Sequence, residues 1–162
     1  MKGPFQPDAY FARISDIHVQ RDLQDRGIAT VLLDIDNTLR SRADGEVPAD
    51  ARRWLRACKE AGVGVCLLSN NWHGNVFDLA EELDLPIVAK AMKPLPSGYI
   101  VALRNMHARA RTTVVVGDQL FTDIVGAKAL GIHTYMVAPL GEVDLPHMAA
   151  LRHVERALVG NA

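Results

Sequence analysis

The stretch TVLLDIDNTL, residues 30–39, joins an uninterrupted apolar run to two acids one residue apart, Asp34 and Asp36. A run without polar alternation fits a strand buried on both faces, as in a parallel sheet covered by helices. Four further runs have the same character: VGVCLL (63–68), PIVA (86–89), TTVVVGD (112–118) and IHTYMVA (132–138). Between them the period changes to that of a helix. Ala51, Trp54, Leu55 and Cys58 fall at i, i+3, i+4, i+7, bracketed by Pro48 and Gly62. Val76, Leu79, Ala80 and Leu83 repeat the pattern, as do Tyr99, Ala102, Leu103 and Met106, and Gly131 closes a fourth helix after Leu130.

Strand and helix in alternation predict an α/β fold: a three-layer, doubly wound, Rossmann-like parallel sheet. A chain of 162 residues fits one domain, 1–162. Residues 7–27 are expected to add a short helical extension ending at Gly27, and residues 146–159 a final helix.

In a doubly wound sheet the strand order reverses once, and ligands bind outside the carboxyl ends of the strands at that point. Asp34 ends the first run and Asp118 the fourth, and the topology makes those two strands neighbours. Asp36 lies two residues past Asp34, the spacing that returns a side chain to the same side of an extended chain. Three acids in so small a space repel one another unless a cation neutralises them. An all-oxygen donor set suits Mg²⁺ better than zinc or a soft metal. An acid at a strand end is also a common cap or turn residue, so it is the coincidence of DIDNTL with GDQLFTD that carries weight.

Composition excludes several classes. The chain is 49% apolar and 23% charged, which is neither disordered nor fibrous. A formal charge of −1 gives no global attraction to nucleic acid, and none is expected as a partner. Cys58 and Cys66 lack metal-ligand spacing and read as buried thiols. With an N-terminus that lacks a signal-peptide pattern, they point to a reducing cytoplasm. The six histidines lack the spacing of a zinc hydrolase. Arg104, His107, Arg109 and Arg111 form a basic cluster that reads as a solvated helix end, or as support for a lipid substrate if it faces an anionic bilayer.

DIDNTL (34–39), LLSNN (67–71), KP (93–94) and GDQLFTD (117–123), in that order, resemble the four motifs of the haloacid dehalogenase superfamily of phosphohydrolases. SNN before a helix, AMKPL, the unbroken GDQLFTD, PDAYFARISDI and PLGEVD are similar to its YqeG-type branch in subfamily IIIA. The resemblance implies a magnesium-dependent phosphatase acting on a phosphorylated substrate. In it Asp34 is the nucleophile, Asp36 the acid and base whose backbone carbonyl also reaches the metal, and Asp118 a metal ligand. Ser69 and the backbone N–H of Asn70 hold the phosphoryl oxygens, and Lys93 offsets charge. Asp123 orients a metal-bound water or Lys93, and Thr38 braces the loop.

Neither Leu39–Ala49 nor Ala91–Leu95 leaves room for an inserted lid, so an open site is expected, suited to a phosphate borne on a lipid or a macromolecule. Phosphatidylglycerophosphate is the candidate that the resemblance supplies, with peripheral contact at the inner face of the membrane. Small soluble esters, or a binding protein without activity, are the alternatives. A phosphoacceptor receiver would carry its acceptor Asp after the third run, which continues AKAMK, and a dinucleotide fold would need GxGxxG where DIDNTL stands.

Overall fold

The computed structural model describes residues 3–140. Its frame is one sheet of six parallel strands: β1 (Ala9–Phe11), β2 (Thr30–Leu33), β3 (Gly64–Leu68), β4 (Ile87–Val88), β5 (Thr113–Gly117) and β6 (His133–Val137). The spatial order is β1-β6-β5-β2-β3-β4. The chain winds from β2 toward β4 on one side and from β5 toward β6 on the other, so the order reverses between β2 and β5. Thr30 pairs with Gly64 on one side and with Thr113 on the other, which levels the ends of the three central strands.

Adjacent residues of each strand face opposite layers, which is why the runs need no polar alternation. Val31 and Leu33 of β2, with Val65, Leu67, Val114 and Val116, pack against α1 (Ala49–Glu60) and α2 (Gly74–Leu83). Leu32, Cys66, Leu68 and Val115 face α3 (Pro96–Asn105) and α4 (Gly126–Ala129). The predicted helix faces are the buried ones: Ala51, Trp54 and Cys58 on α1, Val76, Leu79 and Ala80 on α2, Tyr99 and Ala102 on α3. Gly62 and Gly131 both sit at φ near +75°, where a side chain would be strained. Burial pushes the Cys58 thiol up to about 12 and the Cys66 thiol up to about 11, so both are inert thiols.

Two expectations need correction. The segment 7–27 is not wholly helical: Ala9–Phe11 pairs in parallel with Tyr135–Val137 as an edge strand. Three residues are too few to show a period, and the partner lies far along the chain. Short turns at Ile14–Asp16, Val19–Leu23 and Gln24–Arg26 follow, and Gly27, at φ 74°, ends them as expected. The third run contributes only two paired residues, because β4 meets the sheet at Leu67 and Leu68 alone. The helix expected over 146–159 lies outside the described residues. No helix among the described residues is long and apolar enough to cross a membrane.

Gly98 shows how tightly α3 docks. A Cβ placed there would lie 2.4 Å from the Ala91 carbonyl oxygen and 2.7 Å from the Ala91 Cβ. Gly98→Ala is therefore expected to lower stability by about 1–3 kcal/mol through overpacking against backbone. Urea unfolding checks this, and an unchanged midpoint at unchanged slope would contradict the packing described.

Candidate active site at the switch point

Asp34 follows the last residue of β2, and its N–H continues the ladder to the Val116 carbonyl at 3.0 Å. Asp118 follows Gly117, the last residue of β5. Leu120–Val125 then winds in wide π-type turns that lead into α4 and bring Asp123 back toward the strand end. Carboxylate oxygens of Asp34, Asp118 and Asp123 lie within 4.8 Å of one another. Gly117 makes this possible, because a Cβ there would stand 2.3 Å from the Asp123 carboxyl carbon.

The ammonium of Lys93 is buried between two of these acids. It donates to Asp34 Oδ1 at 2.9 Å and to Asp123 Oδ1 at 2.8 Å. Burial alone would pull the Lys93 pKa down, but the two carboxylates more than offset it and the net shift is upward. The Gln119 N–H donates to Asp123 Oδ2 at 3.2 Å, so both oxygens of Asp123 are engaged. The Thr38 hydroxyl lies 3.1 Å from Asp34 Oδ2 and 3.2 Å from Asp118 Oδ1, and its single proton serves one of them at a time.

Three carboxylates against one ammonium leave an excess of negative charge. Burial first, then Asp34 and Asp123, pushes Asp118 up to about 9. Burial, and then Asp34, lifts Asp123 to about 6 despite Lys93. A hard divalent cation relieves such crowding, and the donors are all oxygens, so this set fits Mg²⁺ or a similar ion.

Asp36 stands apart from this cluster. Its carboxylate accepts from Nε and Nη2 of Arg40, both at 3.4 Å from Oδ1, in a loop where Asn37 takes φ 61°. Arg40, only 8% exposed, is a residue that sequence reasoning missed; its place four residues after Asp36 was the available signal.

Ser69 follows β3 and is buried, and its Oγ accepts the Asn71 N–H at 3.0 Å. It does not cap α2, whose N-cap is His73. Asn70 also acts through its side chain, which accepts the Lys93 N–H at 2.7 Å and donates to the Lys93 carbonyl at 3.1 Å. Two bonds to one residue's backbone fix the loop that carries the ammonium. The basic cluster lies elsewhere, with Arg104 in the last turn of α3 and Arg109 and Arg111 just ahead of β5, at the amino ends of the strands, opposite the acids. A cleft of about 750 Å³ along α1 and the N-terminal segment, lined by His18, Arg53 and Trp54 among others, shares no residue with the acidic site.

A six-stranded parallel sheet with acids at its switch point is the frame of one hydrolase class, and comparison with known proteins agrees. Residues 10–131 match the family model of haloacid dehalogenase-like hydrolases, and the chain belongs to that family. It is of YqeG type: it is 33% identical over 159 residues to the probable phosphatase YqeG of Bacillus subtilis (strain 168), covering 98% of this chain and 92% of that one. That makes it a phosphatase of the family. It is also 28% identical over 116 residues to a ribulose-1,5-bisphosphate 5-phosphatase of Halopiger xanaduensis, spanning 66% of this chain and 48% of that one. The cobalt-bound deoxy-D-mannose-octulosonate 8-phosphate phosphatase YrbI of Haemophilus influenzae shares the fold. Its TM-score is 0.58 at 13% identity, over 83% of this chain and 90% of that one.

The acid excess predicts a pH dependence for the metal-free protein. Asp118 and Asp123 have folded pKa values above the ordinary 3.8, so the native state favours their protonated forms. Their contribution is fully present below about pH 4 and is lost as pH rises toward about 6 for Asp123 and about 9 for Asp118. In chelator, the melting temperature should decline across that range. Asp118→Asn should flatten the decline, and Mg²⁺ should raise the melting temperature more at the alkaline end. A wild-type profile indistinguishable from that of Asp118→Asn would contradict the assignment.

Proposed function

We propose that the chain hydrolyses phosphate monoesters in two displacements at Asp34, with Mg²⁺ as cofactor. The observation that carries this reading is the pairing of an accessible carboxylate with a buried ammonium: the Asp34 side chain is 14% exposed while the Lys93 Nζ beside it is sealed in. An Asp34 oxygen attacks phosphorus, forming an aspartyl-phosphate as the ester P–O bond breaks, and the departing oxygen takes a proton from Asp36. Water then attacks the same phosphorus, giving its proton to Asp36 and releasing inorganic phosphate and the Asp34 carboxylate.

Arg40 suits Asp36 to both steps by holding its carboxylate in one place without sealing it off, since its side chain is 23% exposed. Ser69 accepts one bond and keeps its own proton for a phosphoryl oxygen, beside the backbone N–H of Asn70. Lys93 stays charged throughout, and Asp123 orients it. Asp34, Asp118 and the backbone carbonyl of Asp36 would hold Mg²⁺, which, when bound, supplies positive charge where the phosphoryl oxygens gather.

The substrate we favour is large or lipid-borne, with phosphatidylglycerophosphate the leading candidate. The support is the open crevice: residues 34–48 lead from β2 to α1 and residues 89–95 from β4 to α3, and neither connection holds a further folded unit.

Turnover of a chromogenic phosphate ester should require Mg²⁺ and fall to background in Asp34→Asn. Lys93→Met should cost roughly 10²–10³ in kcat, the scale of one lost charge stabiliser. Equal, metal-independent rates in wild type and Asp34→Asn would overturn the reading. Phosphatidylglycerophosphate assayed beside sugar phosphates tests the substrate, and a clear preference for the small esters would remove the lipid.

A further inference from the structure

Each loop that carries a site residue after β3, β4 or β5 also carries an exposed apolar one. Trp72 comes three residues after Ser69, Met92 and Leu95 flank Lys93, and Phe121 lies between Asp118 and Asp123. Their exposures run from 49% for Phe121 to 57% for Trp72. Phe5 meets Phe121 edge-on at 6.2 Å and widens the rim. Exposed single apolar residues are ordinary, but a set gathered around one crevice marks an interaction surface.

The rim is held in place by its backbone. Lys90 and Met92 both take left-handed φ, 49° and 59°, a conformation side chains disfavour. Hydrogen bonds maintain it: Ala91 N–H to the Ser69 carbonyl at 2.9 Å, Lys90 N–H to the Asn71 carbonyl at 3.3 Å, and Leu95 N–H to the Met92 carbonyl at 2.9 Å. Trp72 stacks on His73 with centroids 5.1 Å apart, and Lys90 Nζ lies 5.4 Å from the Trp72 ring centre.

We propose that this rim seats on a phospholipid bilayer and sinks its apolar side chains to the boundary between headgroups and hydrocarbon. An indole carrying a lysine at its face suits that boundary, with the ring at headgroup depth and the ammonium toward lipid phosphate. The chemistry of the rim argues for a bilayer. At roughly 200 Å² per large side chain and half exposure, it offers about 500 Å² of apolar surface with the Lys90 ammonium at its Trp72 face, apolar area and positive charge that match hydrocarbon and lipid phosphate. A protein seated there would stopper the crevice, whereas a bilayer brings phosphate esters to it. The seating deepens the reading of the site as one for a lipid-borne phosphate, but it needs only the rim, so the two are tested apart.

The full chain is mixed, in chelator and without substrate, with vesicles of phosphatidylcholine and phosphatidylglycerol, followed by sedimentation and tryptophan emission. Of the two tryptophans, Trp54 is buried with its Nε1–H bonded to the Ile17 carbonyl, so the signal belongs to Trp72. Wild type and Asp34→Asn should both sediment with vesicles, and wild-type emission should shift to shorter wavelength. Trp72→Gln and the double variant Met92→Gln/Phe121→Ser should each bind roughly tenfold more weakly, while hydrolysing the soluble chromogenic ester without vesicles as wild type does. Vesicle affinity unchanged in both variants overturns the proposal. So does a wild type that ignores vesicles while turning over the ester, a result that leaves the phosphatase reading standing. A dimer in lipid-free solution with Trp72 shielded from quencher assigns the rim to a second copy and also overturns it. Loss of ester turnover in Asp34→Asn alone, with binding retained in both, separates chemistry from seating.

Discussion

The ammonium of Lys93, sealed between Asp34 and Asp123, is the interaction on which the rest of the site depends. A lysine so buried is stable only because two carboxylates compensate its lost hydration, and those carboxylates are tolerated only because the lysine lies between them. Among the described residues no ammonium or guanidinium pairs with Asp118. Its raised pKa reflects an arrangement that is balanced for a protein with a cation present and over-acidic without one. Excess buried charge of one sign is what stability alone would remove, so its retention here points to chemistry.

Much of the surrounding packing serves to place that ammonium. Asn70 reaches from the end of β3 to hold both backbone groups of Lys93. On the other side, the Tyr99 hydroxyl donates to the Thr122 carbonyl and so ties α3 to the turn that bears Asp123. Gly126 lets that turn close, since a Cβ there would lie 2.9 Å from the Pro94 Cα. The loops after β3, β4 and β5 are thus one hydrogen-bonded and close-packed unit, a rigid support of the kind charge stabilisation requires.

This division explains what was legible in the sequence. The layers, the neighbouring of β2 and β5 and the convergence of Asp34 with Asp118 follow from apolar runs and topology, which act at every residue and leave a period. Asp123 was legible through the motif resemblance and not through topology. It lies five positions after Asp118, a spacing that an α-helix would swing well to the side and that the wider π-type turn brings back. The Asn70 clamp, the Arg40–Asp36 pair and strand β1 each depend on two or three contacts, too few to leave a pattern in the sequence.

The two ends of the strands differ in character, and the difference constrains how the protein would meet the large or lipid-borne substrate proposed for it. Acids, ammonium and apolar rim gather at the carboxyl ends of the strands, while Arg104, Arg109 and Arg111 gather at the other end. A surface that approaches the acids cannot also rest on those arginines, so the basic cluster lends no support to a lipid substrate. On the proposed reading, apolar contact, aided locally by Lys90, would be the means that draws an extended surface to the crevice. That assignment is physically economical: a strongly basic rim would compete with the site for the same phosphate, whereas apolar side chains leave the ester to Lys93 and Ser69.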